Sequence, residues 1–275
     1  MSQNAFDQKK EHILAEIHNN MQDLSPKGTI DELCWPIMNL VNSHPDMITT
    51  SSCSGRLSVF VEGNKLHNEE MKSGGKGDGG KWLFVTHKHE DVANWSQNLS
   101  EQVVYTTDLQ ERSLEASARY ILYKYEPFIL HVKCRDFSTA SKLFSTAMAC
   151  GFRESGIGSN NIVAVRVNIK LDVPIGYLDH SSQKLIFFVS KGYIEQIDGM
   201  TLSKFSENTK KMHELYDKIE SQIIKPAQEV PVTKAPQETK EERRERKRME
   251  GLLRQQQISR EKDGIVVQTD AATQD

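Results

Sequence analysis

Residues 128–151, FILHVKCRDFSTASKLFSTAMACG, decide the fold class, because a short apolar strand leads directly into a helix. Phe128 to Lys133 is rich in the apolar residues that strands favour. Ser138 is placed to cap the helix, and Gly151 lies where a helix stop belongs. A second strand is predicted from Ile162 to Lys170, where valine and isoleucine alternate with other residues. A strand–helix–strand unit predicts an α/β fold with a mixed sheet.

Further elements are predicted on both sides of this unit by the same spacing rules. Helices are expected over residues 6–22, 30–42 and 202–224. The second helix contains Pro36, which can kink it or move its start, and Thr29 is placed to cap it. Strands are expected over residues 47–50, 56–62, 82–86, 120–125 and 185–189.

The C-terminal part differs in composition from the rest of the chain. Residues 226–239 are rich in Pro, Gln, Glu and Thr, which is typical of a linker. The segment 240–262 carries nine Lys/Arg and five Asp/Glu. Residues 240–258 could form a solvated helix, and residues 268–275 are polar enough to be disordered. We predict one catalytic domain over 1–225, a linker over 226–239 and a charged, largely disordered tail over 240–275.

Composition narrows the class of protein. The chain has 275 residues, a formal net charge of −3 and 27% charged residues. No apolar run approaches the roughly 20 residues that cross a bilayer, and the N-terminus lacks an apolar signal, so we expect a cytoplasmic protein without a membrane partner. Because the net charge supplies no basic footprint, RNA binding would need a local patch or the tail.

The four cysteines argue against two kinds of site. None belongs to a CxxC pair, so a zinc ribbon is not expected, and a reducing compartment disfavours disulfides. No other cluster of metal ligands is visible in the sequence. We therefore predict no bound metal.

Residues 75–80, GKGDGG, match the GxGxxG spacing of a dinucleotide-binding loop. That motif requires a strand before it and a helix after it, so that the phosphates meet the helix N-terminus. Here polar residues precede the glycines and a predicted strand follows them. The context therefore indicates a loop between strands, which could close over a ligand, and not a Rossmann fold.

Residues 49–56, TTSSCSGR, are predicted to form a polar loop between two strands. Small residues let the backbone approach a ligand closely, and Arg56 offers a fork suited to a carboxylate or phosphate. The alternative is a tight turn with local Ser/Thr hydrogen bonds. Cys53 also permits a cysteine nucleophile, which would need a histidine base within hydrogen-bond reach; His87 and His131 are the candidates.

His87 and a set of basic residues could also take part in a functional site. His87 ends a predicted strand, a position that often lines a site, although a surface histidine is the alternative. A basic face around the strand–helix–strand unit could be built by Arg135, Arg153, Arg166, Lys133 and Lys142. Scattered surface charge is the commoner explanation of such a set.

Five segments, taken in order, resemble the tRNA wybutosine-synthesizing protein 3 family. They are DLSPKGTID at 23–31, TTSSCSGR at 49–56, GGKWLFVTH at 79–87, EPFILHV at 126–132 and GFRESG at 151–156. The resemblance covers roughly residues 5–215, and it is the ordered set that is specific. The family's serine-rich signature usually begins with Ser, and Thr49 keeps the hydroxyl at that place.

The resemblance implies an enzyme with a methyltransferase fold that is not Rossmann-like. Such an enzyme transfers a methyl group from S-adenosylmethionine to a ring nitrogen of the tricyclic wybutosine precursor, the base 3′ of the anticodon in phenylalanine tRNA. Its partners would be that tRNA and, in addition, other enzymes of the wybutosine pathway. A non-catalytic tRNA-binding scaffold is the alternative, and it would not bind S-adenosylmethionine.

The resemblance also implies roles for particular residues. Contacts to the cofactor are expected from Ser51, Ser52, Cys53, Gly55 and Arg56. Arg56 would pair with the methionine carboxylate. His87 would accept a proton or orient the base. Contacts to tRNA are expected from Trp82, Arg135 and Arg153, because an unpaired loop base is commonly stacked on an aromatic ring or a guanidinium.

Overall fold

The structure is a computed structural model of the chain. It describes residues 5–18, 29–63, 79–99, 103–106, 119–179, 181–226, 241, 243–245 and 247–252. Contacts divide the chain into two units, Met1–Ala227 and Gln228–Asp275. The first unit holds the sheet and the long helices. The predicted linker lies almost wholly outside the described residues, and the described part of the tail is helical.

The first unit is built on one mixed sheet, as the sequence predicted. Its strands are β1 (Met47–Val61), β2 (Lys81–Thr86), β3 (Val103–Tyr105), β4 (Tyr120–Cys134), β5 (Gly156–Ile157), β6 (Ile162–Arg166), β7 (Leu171–Leu178) and β8 (Leu185–Phe187). The order is β2-β1-β4-β7-β8-β3, with β6 pairing both β4 and β5. Among the described strands only β3 and β8 pair in parallel, so the sheet is not the doubly wound parallel sheet of a Rossmann fold.

The long helices are α1 (Ala5–His18), α2 (Trp35–Ser43), α3 (Phe137–Ala149) and α4 (Lys191–Ile219), which continues as a π-helical turn over Glu220–Ile224. Short 3-10 turns occupy Glu32–Cys34, His89–Asn94, Gln97–Leu99 and Ser159–Asn161. In the described part of the chain, no helix is both long and apolar enough to span a bilayer.

The prediction of a loop at residues 49–56 is wrong, because this segment is the middle of the continuous strand β1. It pairs antiparallel with β4 along nearly its whole length. β4 likewise joins two predicted strands across Pro127, which lies opposite Gly55. A register shift lies between Thr49 and Ser51, and Gly55 has φ +102°. The polar segment is therefore a deformed strand rather than a loop.

The side chain of Asn208 on α4 completes the ladder at this deformation. Ser54 and Phe128 stand opposite each other without direct pairing. The Nδ2 group of Asn208 donates to the carbonyl of Ser54 at 2.8 Å, and its Oδ1 accepts from the N–H of Phe128 at 2.8 Å. Asn208 is buried, so both backbone groups would otherwise lack partners away from water.

Several helix boundaries differ from the predicted ones. α4 begins at Lys191 rather than Leu202, with the Ser190 hydroxyl accepting from the N–H of Tyr193. Asp136, and not Ser138, caps α3. Thr29 caps no helix, because Asp31 precedes the first 3-10 turn.

Other boundary predictions have mixed outcomes. Pro36 moved the start of α2 and occupies its first turn. Gly151, with φ +86°, ends α3 as predicted. The strands β3 and β7 were not predicted.

The helices α2, α3 and α4 pack against one face of the sheet. That face carries Tyr123, whose hydroxyl donates to Asp198 and reaches Thr201 on α4. Along β4, buried side chains alternate with partly exposed ones such as Lys124 and Glu126. The partly exposed side chains therefore define a second face of the sheet, which we call the outer face.

Candidate functional site

Three side chains from separate segments meet beside the middle of β1. Asp31 precedes the first 3-10 turn, Cys53 lies on β1, and His87 follows the last residue of β2. The pairing of β2 with β1 stops at Thr86 and Leu57, so the chain leaves the sheet next to the deformed segment. The Nε2 atom of His87 is 3.7 Å from Oδ2 of Asp31, and one donor atom from each residue lies within 4.8 Å of the others.

Asp31 is the candidate site residue that the sequence did not predict. It is buried, with 8% of its side chain exposed, and its Oδ2 accepts from the N–H of Ser54 at 2.8 Å and from the Ser54 hydroxyl at 3.1 Å. These bonds tie the carboxylate to the signature strand. The available signal was its place at the end of the segment DLSPKGTID, whose residues 23–28 lie outside the described part.

The environment of Cys53 is unlike that of a nucleophile. Burial raises the pKa of the Cys53 thiol most strongly. A hydrogen bond with the Gly55 backbone partly opposes this, the carboxylate of Asp31 raises the pKa further, and Arg56 lowers it slightly. Reactive cysteines sit in electropositive surroundings that lower their pKa. The proximity of His87 therefore does not make a Cys–His hydrolase the better account.

The same three residues are the natural place to test for a metal ion, because Asp, Cys and His are all zinc ligands. Bonds of about 2.0–2.3 Å in a tetrahedral site hold ligand atoms roughly 3.3–3.8 Å apart. Here the donor atoms lie within 4.8 Å of one another, and the 3.7 Å between His87 Nε2 and Asp31 Oδ2 falls in that range. Asp31 Oδ2, however, already accepts two bonds from Ser54, and the absence of a metal stays a prediction.

Arg56 and Trp82 form a second cluster on the outer face. The Nε group of Arg56 donates to Oε2 of Glu126 at 2.7 Å, across the β1–β4 pair. The guanidinium carbon lies 5.7 Å from the ring centroid of Trp82, which meets Phe60 edge-on at 5.2 Å. Within the described residues, neither Nη group of Arg56 has a hydrogen-bond partner. Both groups can therefore donate to a bound anion.

The other predicted cofactor contacts lie on the same strand. Ser51 is exposed, whereas Ser52 is half-buried with its hydroxyl 3.2 Å from Sδ of Met38 on α2. Gly55 is buried, and a Cβ there would come within 3.2 Å of Asn208, Glu126 and Tyr125 atoms. The glycine therefore permits both the positive φ and the close packing of β1 on α4.

One predicted tRNA contact, Arg135, lies apart from these clusters. Arg135 follows the end of β4. It lies six residues beyond Ile129, the cross-strand partner of Cys53, and six residues of a strand span about 20 Å. Its guanidinium donates to Asp46 at 2.5 Å and to Asp7 on α1 at 2.5 Å, and we assign it to the attachment of α1. Arg153 is exposed in the turn after α3.

His131, the other histidine considered as a base, is not part of the Asp31 group. It faces Ser51 across the β1–β4 pair, and its Nε2 is 3.5 Å from a guanidinium nitrogen of Arg166. Burial lowers its pKa, and the positive charge of Arg166 adds to the effect. Its surroundings therefore favour the neutral imidazole.

Comparison with known proteins gives matches over most of the chain. A family model described as methyltransferase TYW3 matches residues 8–221. The tRNA wybutosine-synthesizing protein 3 of Saccharomyces cerevisiae is 60% identical over 264 residues, covering 94% of this chain and 97% of that protein. The protein of the same name from Schizosaccharomyces pombe is 38% identical and covers 80% of this chain and 89% of its own length.

A solved structure shares the fold. The PH1069 protein from Pyrococcus horikoshii OT3 superposes with a TM-score of 0.59 at 24% identity, covering 79% of this chain and 95% of that one. At that identity the likeness concerns the fold alone.

Proposed function

This chain belongs to the TYW3 methyltransferase family, and we propose that it methylates a ring nitrogen of the wybutosine precursor in phenylalanine tRNA, with S-adenosylmethionine as donor. The names of its relatives support the pathway and the RNA substrate. The observation that carries the site assignment is the meeting of Asp31 and His87 beside the strand that bears the family signature.

The residues present fit the proposed cofactor. A carboxylate would be received by the two Nη groups of Arg56, whose Nε is steadied by Glu126. That ion pair is partly exposed, with side-chain exposures of 32% and 48%, so it can rearrange around a ligand at small cost. Exposed Ser51 and half-buried Ser52 add hydroxyl groups along the same strand.

S-adenosylmethionine, when bound, supplies an electrophilic methyl group. In the proposed reaction this carbon would pass from sulfur to the ring nitrogen, and S-adenosylhomocysteine would be the leaving group. The ring nitrogen must then lose its proton. His87 would take it, and Asp31, whose Oδ2 is 3.7 Å from His87 Nε2, would stabilise the imidazolium that results. No covalent bond to Cys53 is needed.

The substrate base must be held by stacking, because a tricyclic ring offers a large flat face. Trp82 is 37% exposed on the outer face and already lies against the Arg56 guanidinium. A base could stack on this pair at about 1–3 kcal/mol by analogy with other aromatic platforms. The exposed Arg153 remains a proposed contact for a more distant part of the tRNA.

The test is methyl transfer from radiolabelled S-adenosylmethionine to tRNA from cells that lack this protein. Asp31→Asn should lower kcat about 100-fold or more with little change in cofactor affinity, since proton transfer contributes roughly 10²–10⁴-fold. Arg56→Ala should mainly weaken cofactor binding. Glu90→Gln, the same carboxylate-to-amide change on an exposed residue that pairs with His89, is the matched control and should retain most activity. Full activity of Asp31→Asn, or none in the wild type, would contradict the proposal.

A further inference from the structure

A cleft opens on the outer face where two strands part from β4. β7 pairs with β4 only up to Tyr125, and β6 pairs with it only from Ile129. Residues 126–128 therefore have no strand partner on that side. The resulting cleft has a volume of about 390 Å³, within the range of small-molecule sites.

Two of the five family-like segments contribute to the lining of the cleft, together with residues of β4, β6 and β7 outside them. EPFILHV contributes Glu126 through Ile129, and GFRESG contributes Glu154. The third, TTSSCSGR, adjoins the cleft through the ion pair of Arg56 with Glu126.

The charges of the cleft are balanced rather than basic. Lys124 pairs with Asp172 at 2.7 Å, and Lys170 pairs with Glu154 at 2.6 Å. Arg166 adds one further cation, and Glu126 one further anion. A phosphate-binding site would show an excess of positive charge. A cleft with both signs instead suits a ligand that carries an ammonium and a carboxylate together.

From this geometry we propose that the cleft holds the amino-acid end of the methyl donor, with Glu126 as the partner of its α-ammonium group. The proposal rests on the proposed function and extends it to a residue with no role so far. Glu126 presents Oε2 to Arg56, which leaves Oε1 for a second donor. The ligand's carboxylate would bind Arg56 and its ammonium group would bind Glu126, so that each ligand charge meets the opposite charge of this ion pair.

The location also suits the reaction. Ile129 borders the cleft and is the cross-strand partner of Cys53. Partners in an antiparallel pair lie about 4.5–5.5 Å apart between Cα atoms. A ligand anchored at Glu126 can thus extend across one strand to the Asp31–His87 group, where the methyl group is needed.

The test is equilibrium binding by calorimetry, without tRNA and without turnover. The probes are S-adenosylhomocysteine and methylthioadenosine, which lacks the amino-acid end. Wild-type protein should prefer S-adenosylhomocysteine. Glu126→Gln should weaken its binding about tenfold to 100-fold and leave methylthioadenosine unchanged, because a charge-assisted hydrogen bond is lost. Glu220→Gln removes a carboxylate that pairs with Lys225 at 2.8 Å outside the cleft lining, and it is the matched control that should change neither affinity appreciably.

The outcomes separate the two proposals. If wild-type protein binds neither S-adenosylmethionine nor S-adenosylhomocysteine, the proposed function itself fails. If it binds S-adenosylhomocysteine and Glu126→Gln binds equally well, only the cleft assignment is overturned. Because Glu126 is partly exposed, the variant is expected to fold, and an unchanged urea midpoint confirms this.

Discussion

Replacing Asn208 with alanine should destabilise the protein strongly, because one buried amide bridges two strands. The change leaves the carbonyl of Ser54 and the N–H of Phe128 without partners. Each buried, unpaired backbone group costs about 1–3 kcal/mol. The expected loss is therefore about 2–5 kcal/mol in the free energy of unfolding, or roughly 5–15 °C in Tm for a domain of this size.

Urea unfolding followed by circular dichroism measures this loss as a lower midpoint at constant m-value. Asn208→Leu separates hydrogen bonding from packing, because it restores volume without restoring either bond, and it should remain well below wild type. Thr209→Ala is the neighbouring control. Its hydroxyl bonds only to the Phe205 carbonyl of the same helix, so the change should stay within about 0.5 kcal/mol. Asn208→Ala as stable as that control would refute the bridging role.

Three further predictions concern single residues. Gly55→Ala should lower the free energy of unfolding by about 1–3 kcal/mol in urea, because the φ of Gly55 is +102° and a Cβ there would be crowded. Gly199→Ala, in open space on helix α4, is the control and should stabilise the protein slightly. Equal effects of the two changes would contradict this prediction. Iodoacetamide should label Cys53 more slowly in folded than in urea-unfolded protein at pH 8, since burial raises the pKa of the thiol; peptide mapping that finds equal rates would overturn that assignment. Arg135 lowers the pKa of Asp7 in the folded protein below the ordinary aspartate pKa near 4. The attachment of α1 should therefore be intact above that ordinary pKa and be lost as the pH falls through the lower pKa of the folded state. Hydrogen exchange of α1 reports this loss, and Arg135→Ala should remove the pH dependence.

The sequence predicted the parts of the site that follow from local composition. The hydroxyl-rich segment and the strand-end histidine do lie side by side. Asp31 and Asn208 could not be found in this way, because their partners lie 23 and 154 residues away along the chain. Local spacing carries no information about such contacts.

The errors in the predicted fold have a related cause, because they too arise from reading local composition alone. Serine and glycine favour turns, so residues 49–56 were predicted to be a loop, yet pairing with β4 holds them in a strand. Similarly, α4 contains Gly192 and Gly199 in its first part, which lowers the helix propensity of that part. Packing of Ile194 and Ile197 in the core overrides that preference.

The central claim is the methylation of the tRNA base, and the most direct measurement is mass analysis of nucleosides. Phenylalanine tRNA from cells lacking this protein would be incubated with purified protein and S-adenosylmethionine, then digested. We expect the precursor nucleoside to decrease and a product heavier by one methylene unit to replace it, whereas fully modified tRNA should not change. If the protein binds S-adenosylmethionine and this tRNA but the precursor nucleoside stays unchanged, the account is contradicted.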